Sequence, residues 1–542
     1  MLPLAFLFLL LNLSSPFSLA ASLDSSSDIY DNFLKCIQFH TKNQSNQNVK
    51  NIIYSQSNPS YTSVLQAYIR NARFNTSSTK KPLLIVTAAS ESDVSATVLC
   101  TKSLGLRLKT RSGGHDYAGV SYVSDVPFVI LDMFQLRSIT VDVADQSAWV
   151  GSGATLGEVY YNIWKNSKVL GFPAGVCPTV GVGGHISGGG YGSMIRKYGL
   201  AVDHVIDAKI VDAKGNILDR KSMGEDLFWA IRGGGGASFG VVLAYKLKLV
   251  PVPETVTVFE AERRLDKNES MTDFVYQWQT TAPTTDDGLF MRMLVQPTSS
   301  KVTKDSKTVK VTIVALYLGD ADTLVSFLAK DFPLLGLKKE NCTEMSWIDS
   351  VLWWAKNGTS PDALLDRKPN SAIYGLRKSD YVQKPIPKNG LESLWKKMVD
   401  GKVGLVFNPY GGRMNQVPAS ETPFPHRAGN LFKVQYSVSW KEAAPEAERN
   451  YTAEMRSLFS FMTPYVSKNP RSAFLNYRDL DIGVNHFGKN SYKEGQVYGV
   501  KYFNNNFDRL VKVKTAVDPE NFFKSEQSIP ILPSKVSRKT LE

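Results

Sequence analysis

Two short stretches concentrate groups able to form covalent bonds. "KTRSGGHDYAGVSY", Lys109 through Tyr122, sets His115 behind a Ser-Gly-Gly turn, and "GVCPTVGVGGH" sets Cys177 in similar company. An imidazole nitrogen and a thiolate are both nucleophiles toward an electron-poor centre. Glycine lets backbone N–H groups approach a phosphate or ring edge without a Cβ in the way. Gly113 and Gly114, the run from Gly181 to Gly192, and the run from Gly233 to Gly240 form three such clusters. Converging on one ligand, they would make a dinucleotide-sized site. Neither G-x-G-x-x-G after a strand nor G-x-x-x-x-G-K-[ST] occurs, which disfavours ordinary Rossmann and P-loop binding.

Other chemistries fit the sequence less well. "GASFG", Gly236 to Gly240, matches the G-x-S-x-G elbow, which needs a strand before the serine and a helix after it. Here "LFWAIR" precedes as a helix and "VVLAYKLKLV" follows as a strand, so Ser238 reads as structural. The six histidines show no H-E-x-x-H or paired spacing with carboxylates, so no metal site is expected. "LFKVQYSVSW" alternates as a strand, and places Lys433 and Gln435 on one face.

The elements that must position these groups belong to a chain of 542 residues, too long for one hydrophobic core. "MLPLAFLFLLLNLSSPFSLAAS" reads as a secretory signal over residues 1–21; its apolar run is far shorter than the ~20 residues of a spanning helix. Export makes glycosylation at Asn43, Asn75, Asn268, Asn341, Asn357 and Asn450 possible. Four cysteines, Cys36, Cys100, Cys177 and Cys342, allow three pairings as two bridges, or an odd functional thiol. The net charge of +13 favours polyanions, and the spread of Lys and Arg argues for acidic extracellular polymers such as the cell wall rather than nucleic acid. A secreted location is expected, with the vacuole or another secretory compartment as the alternative, and no membrane span.

Apolar spacing predicts helix across residues 28 to 74. "KKPLLIVTAASESDVSATVLCTKSLGLRLKTR" reads as a strand ending at Thr87, a helix and a second strand, a βαβ-like start. "PFVILDM", "SAWVGSG" and "HVIDAKIVDAKGNILD" add strands, the last with a hairpin turn from Ala213 to Asn216. Beyond Pro253 longer alternating strands and helices replace the glycine clusters up to about residue 475. The boundaries are therefore set at 22–252, 253–475 and a tail, 476–542, that returns to the first unit.

"RSGGHDY", "CPTVGVGGHISGGGYG", "DLFWAIRGGGG", "PFPHRAG", "NYRDLDIG" and "DPENFF" together resemble the plant berberine-bridge-enzyme-like flavoproteins, within the vanillyl-alcohol-oxidase (PCMH) type of FAD fold. The resemblance implies an α+β fold: an FAD domain in two α/β subdomains, and a substrate domain with an antiparallel sheet flanked by helices. It implies an FAD bonded through His115 to its 8α carbon and through Cys177 to ring carbon 6. Arg111, Ser112, Gly113, Gly114 and Asp116 would contact the cofactor, as would Gly181, Gly183, Gly184, His185 and Gly188, with Val242, Tyr502 and Asn504. It also suggests a Cys36–Cys100 disulfide, with Cys342 free. In some alcohol-oxidising members Lys433 and Gln435 are matched with Tyr117, Tyr191 and Tyr477. A cation lowers a nearby phenol's pKa, so Tyr477 as phenolate, aided by Lys433 and Tyr191, is expected to take the hydroxyl proton while Tyr117 and Gln435 orient the alcohol. Val180, three residues past Cys177, is expected to admit oxygen. The implied enzyme is a monomeric oxidase that turns an alcohol into a carbonyl and O2 into H2O2. Aromatic allylic alcohols such as monolignols are favoured, with anomeric oxidation of mono- or oligosaccharides, or a cyclase or cycloaddition catalyst, as alternatives.

Overall fold

Continuous apolar runs such as "LLIV" and "FVILD" have no polar face to give to water, which suits parallel strands covered on both sides. In the computed structural model, which describes residues 26–41, 46–267, 270–356, 358–368 and 372–533, they sit at the centre of the first sheet. Its order is Ile53–Ser55, Leu84–Thr87, Phe128–Asp132, Arg107–Arg111, and the last three are parallel. Every residue of Leu84–Thr87 and Phe128–Asp132 is buried. Leu84–Thr87, the helix Glu91–Ser103 and Arg107–Arg111 form the expected βαβ unit, with Phe128–Asp132 lying between its two strands. The continuous helix expected over 28–74 is corrected. Helices Ser26–His40 and Tyr61–Gln66 flank a strand at Ile53–Ser55, and Ala72–Phe74 is a 3-10 turn. Ile53 and Tyr54 pair with Val86 and Ile85, so the sheet edge overrides local helix preference. The helix Glu91–Ser103 is held at its start by a Ser90–Asp93 capping box and joined to Ser26–His40 by the Cys36–Cys100 disulfide.

A second, antiparallel sheet runs Ile139–Asp142, Ser147–Gly151, Val241–Lys248, Val205–Val211, Ile217–Leu218. The expected hairpin is present and closes from Asp212 to Asn216, with Gly215 at φ +78°. The third sheet has seven antiparallel strands in the order Cys342–Met345, Val256–Arg264, Lys307–Tyr317, Leu289–Ser299, Gly404–Pro409, Phe432–Trp440, Tyr374–Val382. Its core combines Trp278, Leu324, Leu394 and Met455 from helices with Met291, Ile313 and Phe407 from strands. The fold class is α+β.

The last segment, with helices Ser491–Phe503 and Phe507–Val517, returns to the first two sheets. Lys109 pairs with Glu526 at 2.8 Å. Lys514 is fully buried and donates to the carbonyls of Ser238 and Phe523 and to Asp518, each at 2.6 Å. The Ser238 hydroxyl accepts from the Ile529 N–H at 3.2 Å, a structural role that agrees with its reversed strand order. Asn341 and Asn450 are exposed and Asn75 is half-buried, while the signal segment, Asn43, Asn268 and Asn357 lie outside the described residues. Among the described residues no helix is long and apolar enough to cross a membrane.

Replacing Lys514 by Met strands the Asp518 carboxylate without its cation. Denaturant unfolding should show a loss of about 3–5 kcal/mol, with part regained in the Lys514→Met/Asp518→Asn double variant.

Candidate active site

The two glycine-rich loops meet backbone to backbone. A Cβ on Gly113 would collide with the amide of Gly181, and a Cβ on Gly181 would collide with the amide of Gly113. Gly114 adopts φ +67°, which a side chain would strain. This contact brings His115 and Cys177 to the same hydroxyl. Thr179 Oγ1 lies 3.0 Å from His115 Nε2 and 3.6 Å from Cys177 Sγ. Burial and the nearby Arg70 push His115 down to about 3, so its ring is neutral, and Cys177 carries a free thiol.

Both residues open into a cavity of about 470 Å³, a volume typical of ligand sites. Ser112, Gly113, Gly114, Asp116 and Tyr117 line it from one loop. Val180, Gly181, Gly183, Gly184, His185 and Gly188 line it from the other, and Val242 from the second sheet. Its chemistry fits a dinucleotide cofactor. The hydroxyls of Ser121 and Ser152 lie at its wall, buried and without a protein partner. A Cβ on Gly184 would enter open space. Lys109, Arg478 and Lys524 add positive charge suited to phosphates. His185 accepts at Nε2 from the Gly175 N–H, which leaves Nδ1 protonated; burial pushes it down to about 3.

The seven-stranded sheet covers the other side. Register pairs Leu294 with Val406, Val406 with Gln435, and Gln435 with Ser379, so these side chains share a face. Gln435 donates to the Tyr117 hydroxyl at 3.3 Å, and the hydroxyls of Tyr191 and Tyr477 are hydrogen-bonded. Lys433 is fully buried behind this pair and has no hydrogen-bond partner; its Nζ stands 3.2 Å from the Tyr191 ring centroid, 3.7 Å from Phe474 and 4.6 Å from Tyr477. Burial pushes Lys433 well below the usual lysine range, and burial with the adjacent Tyr191 pushes Tyr477 well above the usual phenol range.

Three expected cofactor residues lie away from the cavity wall. Arg111 spends its guanidinium on Asp132 at 2.6 Å and on the carbonyls of Val64 and Leu65. Tyr502 is buried between the Asp479 N–H and Gln527, and Asn504 accepts from Ser472 at the end of its helix. Conversely, sequence reasoning missed Thr179, Asn476 and Arg292. Asn476 bridges the Gly184 carbonyl and the Gly190 amide, pinning the glycine loop beside Tyr477. Arg292 stood out in one respect: it is a cation inside the apolar strand "LFMRMLV".

Residues 82–220 match the family model "FAD binding domain" and residues 473–530 match "Berberine and berberine like". Berberine bridge enzyme-like 21 of Arabidopsis thaliana is 61% identical over 98% of both chains. The chain belongs to the berberine-bridge-enzyme-like family. This flavoprotein is thus an FAD-dependent oxidoreductase acting on CH–OH donors, and the FAD-domain match contains both His115 and Cys177. The solved structure of BBE-like #28 from Arabidopsis thaliana superposes with a TM-score of 0.86 at 44% identity, covering 93% of this chain and all of that one. Phl p 4, a grass pollen allergen with glucose dehydrogenase activity, gives the same score at 42% identity, covering 93% of this chain and all of that one; its isoleucine-to-valine variant is a glucose oxidase.

His185 and His426 are both buried and pushed down to about 3. Unfolded histidine binds a proton near pH ~6.5, so between that pH and about 3 the unfolded chain holds more protons and stability falls as pH falls. Each residue should remove about 1.4 kcal/mol per pH unit well inside that window. His426→Gln should flatten the slope of unfolding free energy against pH by about one proton.

Proposed function

We propose that this flavoprotein oxidises the hemiacetal carbon of an acidic sugar chain, on an FAD tethered through both His115 and Cys177, and passes the electrons to O2 as H2O2. The observation that carries the substrate class is a charge imbalance on the sheet face over the cavity. Arg292 precedes Leu294 by two residues and Arg377 precedes Ser379 by two, so both lie on the face that carries Gln435. Arg292 lines the cavity and donates to Asn408 at 3.0 Å. Arg377 stands 5.5 Å from the Tyr117 ring centroid and donates to the carbonyls of Leu376 and Val438 and to Ser439. Among the described residues neither has a carboxylate partner. Two guanidinium groups with only neutral partners favour a substrate carrying carboxylates. A neutral aromatic alcohol would leave both uncompensated, while the rings of Tyr117, Tyr191 and Tyr477 can pack on a sugar as well as on an arene. The glucose dehydrogenase activity of Phl p 4 supports hemiacetal oxidation in this fold.

When bound, the flavin accepts hydride and returns two electrons to oxygen. The protein's part is to orient the alcohol and take its proton. Gln435 and Tyr117 hold the hydroxyl. The Tyr191–Tyr477 pair receives the proton as a unit, with Lys433 as the cation beside both rings. Lys433 Nζ stands over the Tyr191 ring and beside that of Tyr477, and the two hydroxyls share one hydrogen bond. Buried amine and phenol act as one coupled unit: each resists ionising alone, and each ion stabilises the other. Val180 supports the oxidase reading, since valine is the residue that accompanies oxidase activity in the Phl p 4 variant.

Anaerobic mixing tests the substrate class. Uronic acid oligomers should bleach the flavin, with a rate constant that falls as salt rises; bleaching by coniferyl-type alcohols or neutral cello-oligomers alone would refute it. Arg292→Gln should cut kcat/KM for the acidic oligomers about 10- to 100-fold and leave neutral sugars nearly unchanged.

Lys433→Met removes the cation that favours the phenolate. The rising limb of kcat against pH should move to higher pH, and the neutral-pH rate should fall about 100-fold or more. An unshifted limb would exclude the lysine from this role.

A further inference from the structure

We infer that Thr179 is a positioning residue that readies His115 and Cys177 together for attachment to the flavin, an inference that rests on the double tether proposed above. Its hydroxyl touches both side chains, at 3.0 Å from His115 Nε2 and 3.6 Å from Cys177 Sγ. A hydroxyl has a single proton to donate, so the two contacts are coupled. When His115 Nε2–H donates to Thr179 Oγ1, the threonine proton points to Cys177 Sγ. That direction leaves His115 Nδ1 with a free lone pair and makes Cys177 Sγ the acceptor of the threonine hydrogen bond, which favours negative charge developing on sulfur as its proton leaves. The opposite direction places the ring proton on Nδ1 and makes the thiol the donor to Thr179 Oγ1. One rotation of one hydroxyl therefore arms both nucleophiles or neither.

His115 is held neutral by burial and by Arg70, so one ring nitrogen carries a proton and the other is free, as the coupled arrangement requires. Arg70 is fixed by donating to the Gly113 carbonyl at 3.4 Å and the Arg367 carbonyl at 3.1 Å. The threonine is fixed because the Val180 amide is bonded to the Cys177 carbonyl at 3.2 Å, a tight turn that contains it.

Each attachment breaks one flavin C–H bond and one N–H or S–H bond of the residue, and forms one C–N or C–S bond. The two electrons released pass to O2, which takes up two protons and leaves as H2O2, so each link consumes one O2.

The test compares full-length wild type, Thr179→Val and Thr179→Ser, with Thr179→Ala used where valine impairs secretion. FAD is added in air to protein produced under flavin depletion, and acid-precipitated samples are followed over time by released FAD and by the mass of flavin-bearing peptides. Losing one coupled hydrogen bond should slow both links about tenfold in Thr179→Val, while Thr179→Ser links at nearly the wild-type rate. Wild-type rates in the valine and alanine variants would overturn the inference, as would failure of serine to rescue. Wild-type protein that releases all its FAD on precipitation would instead refute the double tether itself.

Discussion

Gly113 and Gly181 touch through their backbones, and the chemistry of this protein depends on that contact. Each loop carries one reactive side chain a few residues away, and neither loop alone could hold a flavin-sized ring. Because both positions lack a Cβ, the loops approach until a single threonine hydroxyl reaches an imidazole and a thiol. The rest of the first two sheets serves this junction: buried parallel strands deliver the His115 loop, and the C-terminal segment closes behind it through Lys109–Glu526 and the buried Lys514.

The opposite wall obeys a different constraint. It is the regular face of an antiparallel sheet, from which Arg292, Leu294, Val406 and Gln435 reach the cavity, so these positions can change without disturbing the cofactor loops. On that face burial works against every charge: Lys433 is driven toward neutrality and Tyr477 is held protonated. An ion pair in such a place forms only as a unit, so in the proposed reaction the lysine–tyrosine pair is a responsive base rather than a permanently charged one. Arg292 and Arg377 keep partial exposure and, among the described residues, only neutral partners, the feature on which the proposed acidic substrate rests.

Much of this was legible in the sequence because it depends on local rules. Glycine clustering marked the loops, period-two alternation put Lys433 and Gln435 on one face, and the reversed helix–strand order around Ser238 removed the hydrolase reading. What stayed hidden depended on long-range pairing. The strand Ile53–Ser55 exists because a sheet edge was open to it. The family resemblance implied that Arg111 contacts the cofactor, yet Asp132, brought next to it by parallel pairing, claims its guanidinium. Arg292, Asn476 and Thr179 acquire roles only from neighbours at their tertiary positions, although an arginine inside an apolar strand was a usable signal.

The central claim is that one flavin sits between the two loops and joins them. Proteolysis of denatured wild-type protein followed by mass spectrometry of the yellow peptides tests it directly. The expected product is a single species in which the His115 peptide and the Cys177 peptide are bridged by one flavin. Recovery of free FAD, or of a flavin on only one of the two peptides, would contradict the account.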